Sequence, residues 1–438
     1  VSLWLSDGWL GQFRETESET KRATQTWELM MKNLLAGLLG VCILAMGVSC
    51  KKETAPAAKA GTPEKVAPAG SEPKAAPSGE PIKIGAILAV TGPASFLGAP
   101  EAKTMEMVAE EINAKGGVLG RKIELLIKDS GASPEKAVSF CKQLIEEDKV
   151  LAILGPSTSG ETMQIKPICE ENKMVLVSCA AAEVIVNPVA KYVFKTPQKD
   201  SQAITWIYNT MKAKGITKIG VLSGNTGFGK AGKKQLEVAA ASDPKIEVVI
   251  SEVYDKKATD LTDILNKIKG QKVQALVNWS IVPAQSIVAK NMKQIGLDVP
   301  LYQSHGFGNI KYVEAAGAAA NGILFPAGRL LIVDELSEGH VQKAVLAKYK
   351  KDYETKYAGE VVSTFGGHAY DALQIVVKAI EAAGAADTEK VRDAIESMGG
   401  FVGTGGVFNF SAEDHNGLDL NAFEMLTVKD GKFVPLKK

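Results

Sequence analysis

Residues 151–182 limit what this chain can fold into more than any other stretch. They read Leu151-Ala-Ile-Leu-Gly155-Pro-Ser157-Thr-Ser159-Gly-Glu161-Thr162, pass through a mixed polar and apolar segment to Lys173, and close on Met174-Val-Leu-Val-Ser178-Cys-Ala180-Ala181-Ala182. Two short aliphatic runs bounded by small residues and joined by a helix-length segment form the pattern of a βαβ unit in a parallel sheet. Small hydroxyl and alanine residues then stand at the carboxyl ends of both strands, where open α/β sheets bind ligands. A helix opening at Thr158 or Ser159 offers free backbone N–H groups to an anion. Thr158-Ser159-Gly160-Glu161 fits a capping box equally well, in which case the same residues only close a helix end.

The rhythm of that unit repeats. A buried strand is expected at 82–90, a turn at Thr91-Gly92-Pro93, and a helix at 102–114 with Met105, Val108, Ala109 and Ile112 on its apolar face. Asn113-Ala-Lys-Gly116-Gly117 stops that helix. A strand at 122–128, a helix at 134–147 with Pro at its first turn, and a strand at 150–154 follow. Further segments of alternating type fall at 218–223, 246–253, 261–269, 275–279, 283–295 and 301–304. Such alternation means parallel sheets covered on both faces. With 438 residues, 45% of them hydrophobic, the chain can bury two cores. Its net charge of +1 is spread along the whole length, and no basic block is interleaved with aromatics, so nucleic acid is not an expected partner.

The first eighty residues read differently. Met30-Met31-Lys32 precedes an apolar run from Leu34 to Val48 that ends in Ser49-Cys50, the arrangement of an export signal and short for a membrane-spanning helix. Its closeness to Cys50 resembles the lipobox of bacterial lipoproteins, although Gly47 stands where that motif usually has Leu. On this reading 30–49 is a lipoprotein signal peptide and Cys50 is lipidated; the alternative is a plain secreted protein cut near Ser49. Residues 1–29 would be a mis-called upstream extension, and Val1 fits a misread start codon. From Cys50 to Glu80 the chain is mainly Ala, Pro, Lys and Glu, too poor in large apolar residues to fold. It reads as a disordered linker, reaching roughly 30 Å as a coil.

Catalytic sets are hard to find. His305, His340, His368 and His415 show no metal-ligand spacing, and Gly224-Asn-Thr-Gly-Phe-Gly229 and Gly403-Thr-Gly-Gly406 lack the lysine or the spacing of a phosphate loop. Cys141, Cys169 and Cys179 permit one disulfide at most, in any pairing. Neither an enzyme nor a metal or cofactor site is expected.

The run Ile112-Asn-Ala-Lys-Gly-Gly-Val-Leu-Gly120-Arg-Lys-Ile-Glu-Leu, followed by Asp129 and by Pro134-Glu-Lys-Ala-Val, resembles the leucine/isoleucine/valine-binding protein family, the type I extracytoplasmic solute receptors of ABC importers. The resemblance continues in order to the C-terminus. It implies an α/β fold of two Rossmann-like lobes with parallel sheets, joined by three hinge crossings, with the solute in the cleft between them. Lobe one would take 82–198 and 327–402, and lobe two 199–326 and 403–438, with crossings near Thr196, Phe325 and Thr404. The implied function is that of a receptor capturing an amino acid or related small carboxylate by cleft closure and delivering it to a permease. A monomer in the cell envelope or periplasm, held to a membrane by the lipid on Cys50 and partnered by ABC permease subunits, is expected.

Residue by residue, the resemblance places Ser159 on the solute carboxylate, the backbone around Ser178–Ala180 on the same group, and Phe228 as an aromatic packing on the ligand. Ser157, Ala180, Leu97 and Trp279 complete the expected ligand-binding set. Ala181 falls where amino-acid binders carry Thr, and His305 where they carry an acidic residue for the ammonium. A charge left unpaired in a closed cleft costs several kcal/mol, against the roughly 8 kcal/mol of a micromolar ligand. Unless Glu183 or Glu101 serves instead, a non-amino organic acid, for example an aromatic one, competes with an amino acid as the solute. A ligand-sensing receptor of the same fold is the further alternative. Without an acidic partner, His305 would switch its charge near neutral pH.

Overall fold

The computed structural model describes residues 78–437. The expected signal peptide, Cys50 and most of the linker lie outside them. The chain opens with β1 (Ile82–Leu88), α1 (Ser95–Ala114), β2 (Ile123–Asp129), α2 (Pro134–Glu146), β3 (Ala152–Leu154), α3 (Ser159–Glu171), β4 (Val175–Ser178) and β5 (Val193–Lys195). These five strands make one parallel sheet in the order β2-β1-β3-β4-β5, with Gly85 of β1 opposite Leu126 on one side and Ile153 on the other. Burial on both faces explains why β1, β3 and β4 read as near-continuous apolar runs.

The second half of the fold contains α4 (Asp200–Ala213), β6 (Lys218–Gly224), α5 (Gly227–Ser242), β7 (Glu247–Tyr254), α6 (Thr262–Gly270), β8 (Ala275–Trp279), α7 (Ala284–Gln294), β9 (Leu301–Gln303), α8 (Ile310–Ala316) and β10 (Leu324–Ala327). The chain then returns through α9 (Lys343–Lys356), α10 (Thr364–Ala383), α11 (Thr388–Glu396), a small hairpin of β11 (Phe401–Val402) and β12 (Val407–Phe408), and finally β13 (Glu424–Lys429) and β14 (Lys432–Pro435). The second sheet runs β14-β13-β10-β9-β8-β6-β7. Its last two strands are antiparallel to their neighbours, which departs from the all-parallel expectation. They can be, because β13 and β14 follow one another through a two-residue turn at Asp430-Gly431, where both residues take a left-handed φ.

Each sheet has its own core. One cluster joins Val221, Val277, Tyr302 and Phe325 around the second sheet, and two more cover the opposite faces of the first. Between these lobes the chain crosses three times. The first crossing follows β5, between Phe194, in the first lobe's core, and Ala203, in the second lobe's. The second comes after β10, between Ala327, in the second lobe's core, and Leu330, in the first lobe's. The third lies between Ala422 and Phe423, not near Thr404. Phe408, Phe410 and Leu418 account for the shift: Phe410 packs edge-on against Phe194 of β5, so 403–422 belongs with the first lobe. Asp371 on α10 pins that segment, accepting from the N–H groups of Thr404 and Gly405.

The start of α1 also differs from expectation, lying at Ser95 rather than 102. Pro100 sits inside the helix and has no N–H to give the Phe96 carbonyl. That carbonyl instead accepts from Asn309 Nδ2 of the other lobe at 2.8 Å. Long-range hydrogen bonding thus permits a helix that local sequence argues against.

Candidate functional site

The two lobes face each other through the carboxyl ends of their strands, and a small cavity lies between them. Seven of the eight expected residues line it: Leu97, Ser157, Ser159, Ala180, Ala181, Phe228 and His305. Trp279 does not. It is fully buried behind the wall, its ring 5.7 Å from Phe228 and 5.5 Å from His305, and it holds those two rings in place.

At one end stands the N-terminus of α3, whose first residue, Ser159, lines the cavity. Thr158 caps the helix, accepting from the Glu161 N–H at 3.4 Å. Capping and the cavity wall therefore fall to different residues: Thr158 closes the helix while Ser159, one position on, faces the cavity. Ser159 Oγ accepts from the Ala182 N–H at 3.2 Å, which ties the helix to the turn after β4 and leaves the hydroxyl hydrogen for a ligand. Ser157 Oγ accepts from the Ala89 N–H at 2.9 Å and shares a short hydrogen bond with Glu101. Burial pushes the Glu101 carboxyl up to about 8, the Ser157 bond pulling it back and the Glu161 charge adding to the rise. An uncharged Glu101 keeps this end receptive to an anion.

The far end is polar in another way. His305 and His368 both reach the wall. Burial, together with the nearby Lys195 charge, holds His305 well below the usual imidazole range and His368 down at about 3, so both rings are neutral at physiological pH. The expectation that His305 switches near neutral pH is therefore overturned, and so is the expectation that it has no acidic partner. Asp200 Oδ1 stands 3.9 Å from His305 Nε2 and has no hydrogen-bond partner among the described residues. Asp200 in turn opposes Lys195, whose ammonium donates to the carbonyls of Ala181, Pro197 and Gln198 at 2.7–2.9 Å. Burial pushes Asp200 up and Lys195 down, each to about 7, and each one's charge resists the other's shift. Glu183, the other acidic candidate, is spent on the start of α4, accepting from the Ser201 N–H at 3.0 Å.

Apolar walls join the two ends: Leu97 and Phe365 from the first lobe's helices, Phe228 and Ile281 from the second lobe. The lobes meet beside the cavity at a glycine pair. A Cβ on Gly227, the first residue of α5, would stand 2.7 Å from the Gly160 backbone in the first turn of α3.

The family of periplasmic binding proteins matches residues 81–432 of this sequence. The chain belongs to that family. Among characterised relatives of this binding protein is the leucine-, isoleucine-, valine-, threonine- and alanine-binding protein of Pseudomonas aeruginosa, 27% identical over 72% of this chain and 82% of that one. An extracellular ligand-binding receptor from Rhodopseudomonas palustris superposes with a TM-score of 0.76 at 25% identity, covering 81% of this chain and 99% of that one. The branched-chain amino acid transporter substrate-binding protein LivJ of Streptococcus pneumoniae, solved in complex with isoleucine, has a TM-score of 0.71 at 27% identity over 81% and 97% of the two chains.

Several wall residues of the binding protein escaped sequence reasoning. Ile281 and Gly306 follow strand ends and carry the same positional signal as Phe228. Phe365 and His368 sit on α10, where a strong apolar periodicity suggests nothing but core. Only the crossings bring them to the cleft.

Proposed function

We propose that this chain is the solute receptor of an ABC importer of the branched-chain amino acid type, closing its lobes on an amino acid or related small carboxylate and presenting it to a permease. The observation that carries the reading is the cavity's polarity. One end gathers a helix N-terminus and the Ser157 and Ser159 hydroxyls, with an uncharged Glu101 behind Ser157, and apolar walls follow. At the other end, a neutral His305 imidazole can accept a hydrogen bond from an ammonium, and Asp200 behind it adds negative charge that it shares with Lys195. A second reading, a non-amino organic acid, is favoured by one observation: no acidic side chain lines the wall itself, while two neutral imidazoles do.

A thermal-shift screen of amino acids against aliphatic and aromatic acids tests both readings. A solute bound only by the closed form raises stability by about 2.7 kcal/mol at a hundredfold excess over its Kd. Stabilisation by branched amino acids and not by their 2-hydroxy analogues supports the first reading, the reverse supports the second, and no stabilisation by any carboxylate contradicts both. The lipid anchor at Cys50 belongs to the same proposal. Cys50→Ser should release the protein from membranes with solute binding intact, and membrane retention would remove the anchor.

A further inference from the structure

Glu101 has no evident reason to be where it is. It lies on α1, fully buried, with no cation bonded to it, and Oε1 has no hydrogen-bond partner among the described residues. Its other oxygen meets only Ser157 Oγ. An ionised carboxylate so placed would be an uncompensated buried charge, which costs far more than holding a proton. Geometry alone therefore makes Glu101 a carboxylic acid, and its elevated pKa agrees.

The proton decides what Ser157 can do. A hydroxyl accepts two hydrogen bonds and donates one. Ser157 Oγ already accepts from the Ala89 N–H. If Glu101 were ionised, the Ser157 hydrogen would have to point at it, away from the cavity, and a negative charge would sit directly behind the anion site. If Glu101 is protonated, its O–H fills the second acceptor position on Ser157 Oγ, and the Ser157 hydrogen has only the cavity left. We propose that Glu101 is a proton-holding positioning residue that turns the Ser157 hydroxyl into a donor for the solute carboxylate. This rests on the reading above, in which the carboxylate seats at the Ser157 and Ser159 end.

Specificity follows. An anionic head group binds while Glu101 keeps its proton and is rejected once it ionises, so affinity is linked to a proton that the solute never touches. Other titratable groups on the surrounding elements are Glu161 on α3, Cys179 after β4, Tyr349 on α9, and His368 and Asp371 on α10. Cys179 and Tyr349 are raised well above their usual ranges, and His368 is depressed to about 3. Asp371, raised to about 7, and Glu161, also raised, can add pH dependence of their own. A comparison of variants is needed to isolate Glu101.

The experiment has two arms on the same protein. In the solute-free arm, infrared difference spectra of wild type minus Glu101→Gln are recorded from pH 6 to pH 10. A protonated-carboxyl carbonyl band at pH 7 that disappears by pH 10 is expected, and a carboxylate signature at pH 7 would overturn the proposal. In the binding arm, calorimetry follows L-isoleucine and benzoate at pH 7 and pH 9. The wild-type affinity, divided by that of Glu101→Gln to cancel ionisation of the ligand and of other groups, should fall about tenfold over that interval. Ser157→Ala should bind more weakly and lose the same pH dependence while keeping the carboxyl band. A ratio that stays flat although the band is present would also overturn the proposal. Failure of every carboxylate to bind, with the band present, would instead count against the receptor reading and leave the proton on Glu101 established.

Discussion

At the residue scale the site separates two jobs that the sequence joins. Thr158 caps α3 and Ser159 is left to the cavity, so Ser159→Ala should weaken carboxylate solutes by ~1.5–3 kcal/mol through loss of a hydrogen bond to a charged group. Calorimetry showing unchanged affinity would reduce Ser159 to a tie between α3 and the turn at Ala182. His305 and His368 make the opposite kind of prediction. Their folded-state pKa values lie below that of the unfolded chain, so the stability they contribute is present above about pH 6.5 and is lost progressively as pH falls from there toward the folded value, about 3 for His368. Between pH 7.5 and 5 the melting temperature of wild type should drop more than that of His368→Gln; identical drops would show that His368 is not held neutral by burial. His305→Gln, for the same reason, should leave the shape of the binding profile from pH 8 to 6 unaltered. Seven of the wall residues were named from the sequence, with Ser159, Phe228, Ala181 and His305 placed by the family resemblance and not by any local period. Asp200 could not be tied to His305 by any local signal, since 105 residues of chain separate them. Nor does the sequence record that His305 is buried beside Lys195, and that is what made the histidine look like a switch.

At the scale of elements, the paired N-termini of α3 and α5 set how far the cleft can shut. A side chain on Gly227 has no room against the Gly160 backbone when the lobes are closed, and neither glycine takes a left-handed φ. Gly227→Ala should therefore hold the lobes apart, lowering solute affinity and leaving the solute-bound protein with a larger radius of gyration in X-ray scattering than wild type. Equal affinity and equal radius would mean that closure does not need this contact. Elements with a regular apolar period, such as β8 and the early βαβ units, were legible almost to the residue, because burial on two faces writes itself into consecutive aliphatic positions. Two features were not. The first seven residues of α1 depend on Asn309 reaching across the cleft to the Phe96 carbonyl, and the course of 403–422 depends on Phe408 and Phe410 packing beneath β5. Both are settled by partners more than two hundred residues away, which no local period records.

For the whole molecule, three crossings join lobes that each bury a core of their own, so relative motion of the lobes costs little of the packing that holds either one together. Thr196 Oγ1 donates to the His368 carbonyl and Gln198 Nε2 to the Gly405 carbonyl, ties within the first lobe that fix where the first crossing leaves it. A carboxylate at the α3 N-terminus, contacted from the other lobe by Phe228 and His305, would bridge the two bodies and make the closed form the bound form. The most direct measurement of that claim is calorimetric: the affinity of the best solute from the thermal-shift screen against that of its uncharged primary amide. Seating of the carboxylate by Ser157, Ser159 and the helix N-terminus predicts that the acid binds at least about a hundredfold tighter, the loss of two charge-assisted hydrogen bonds. An amide that binds as tightly as the acid would contradict it.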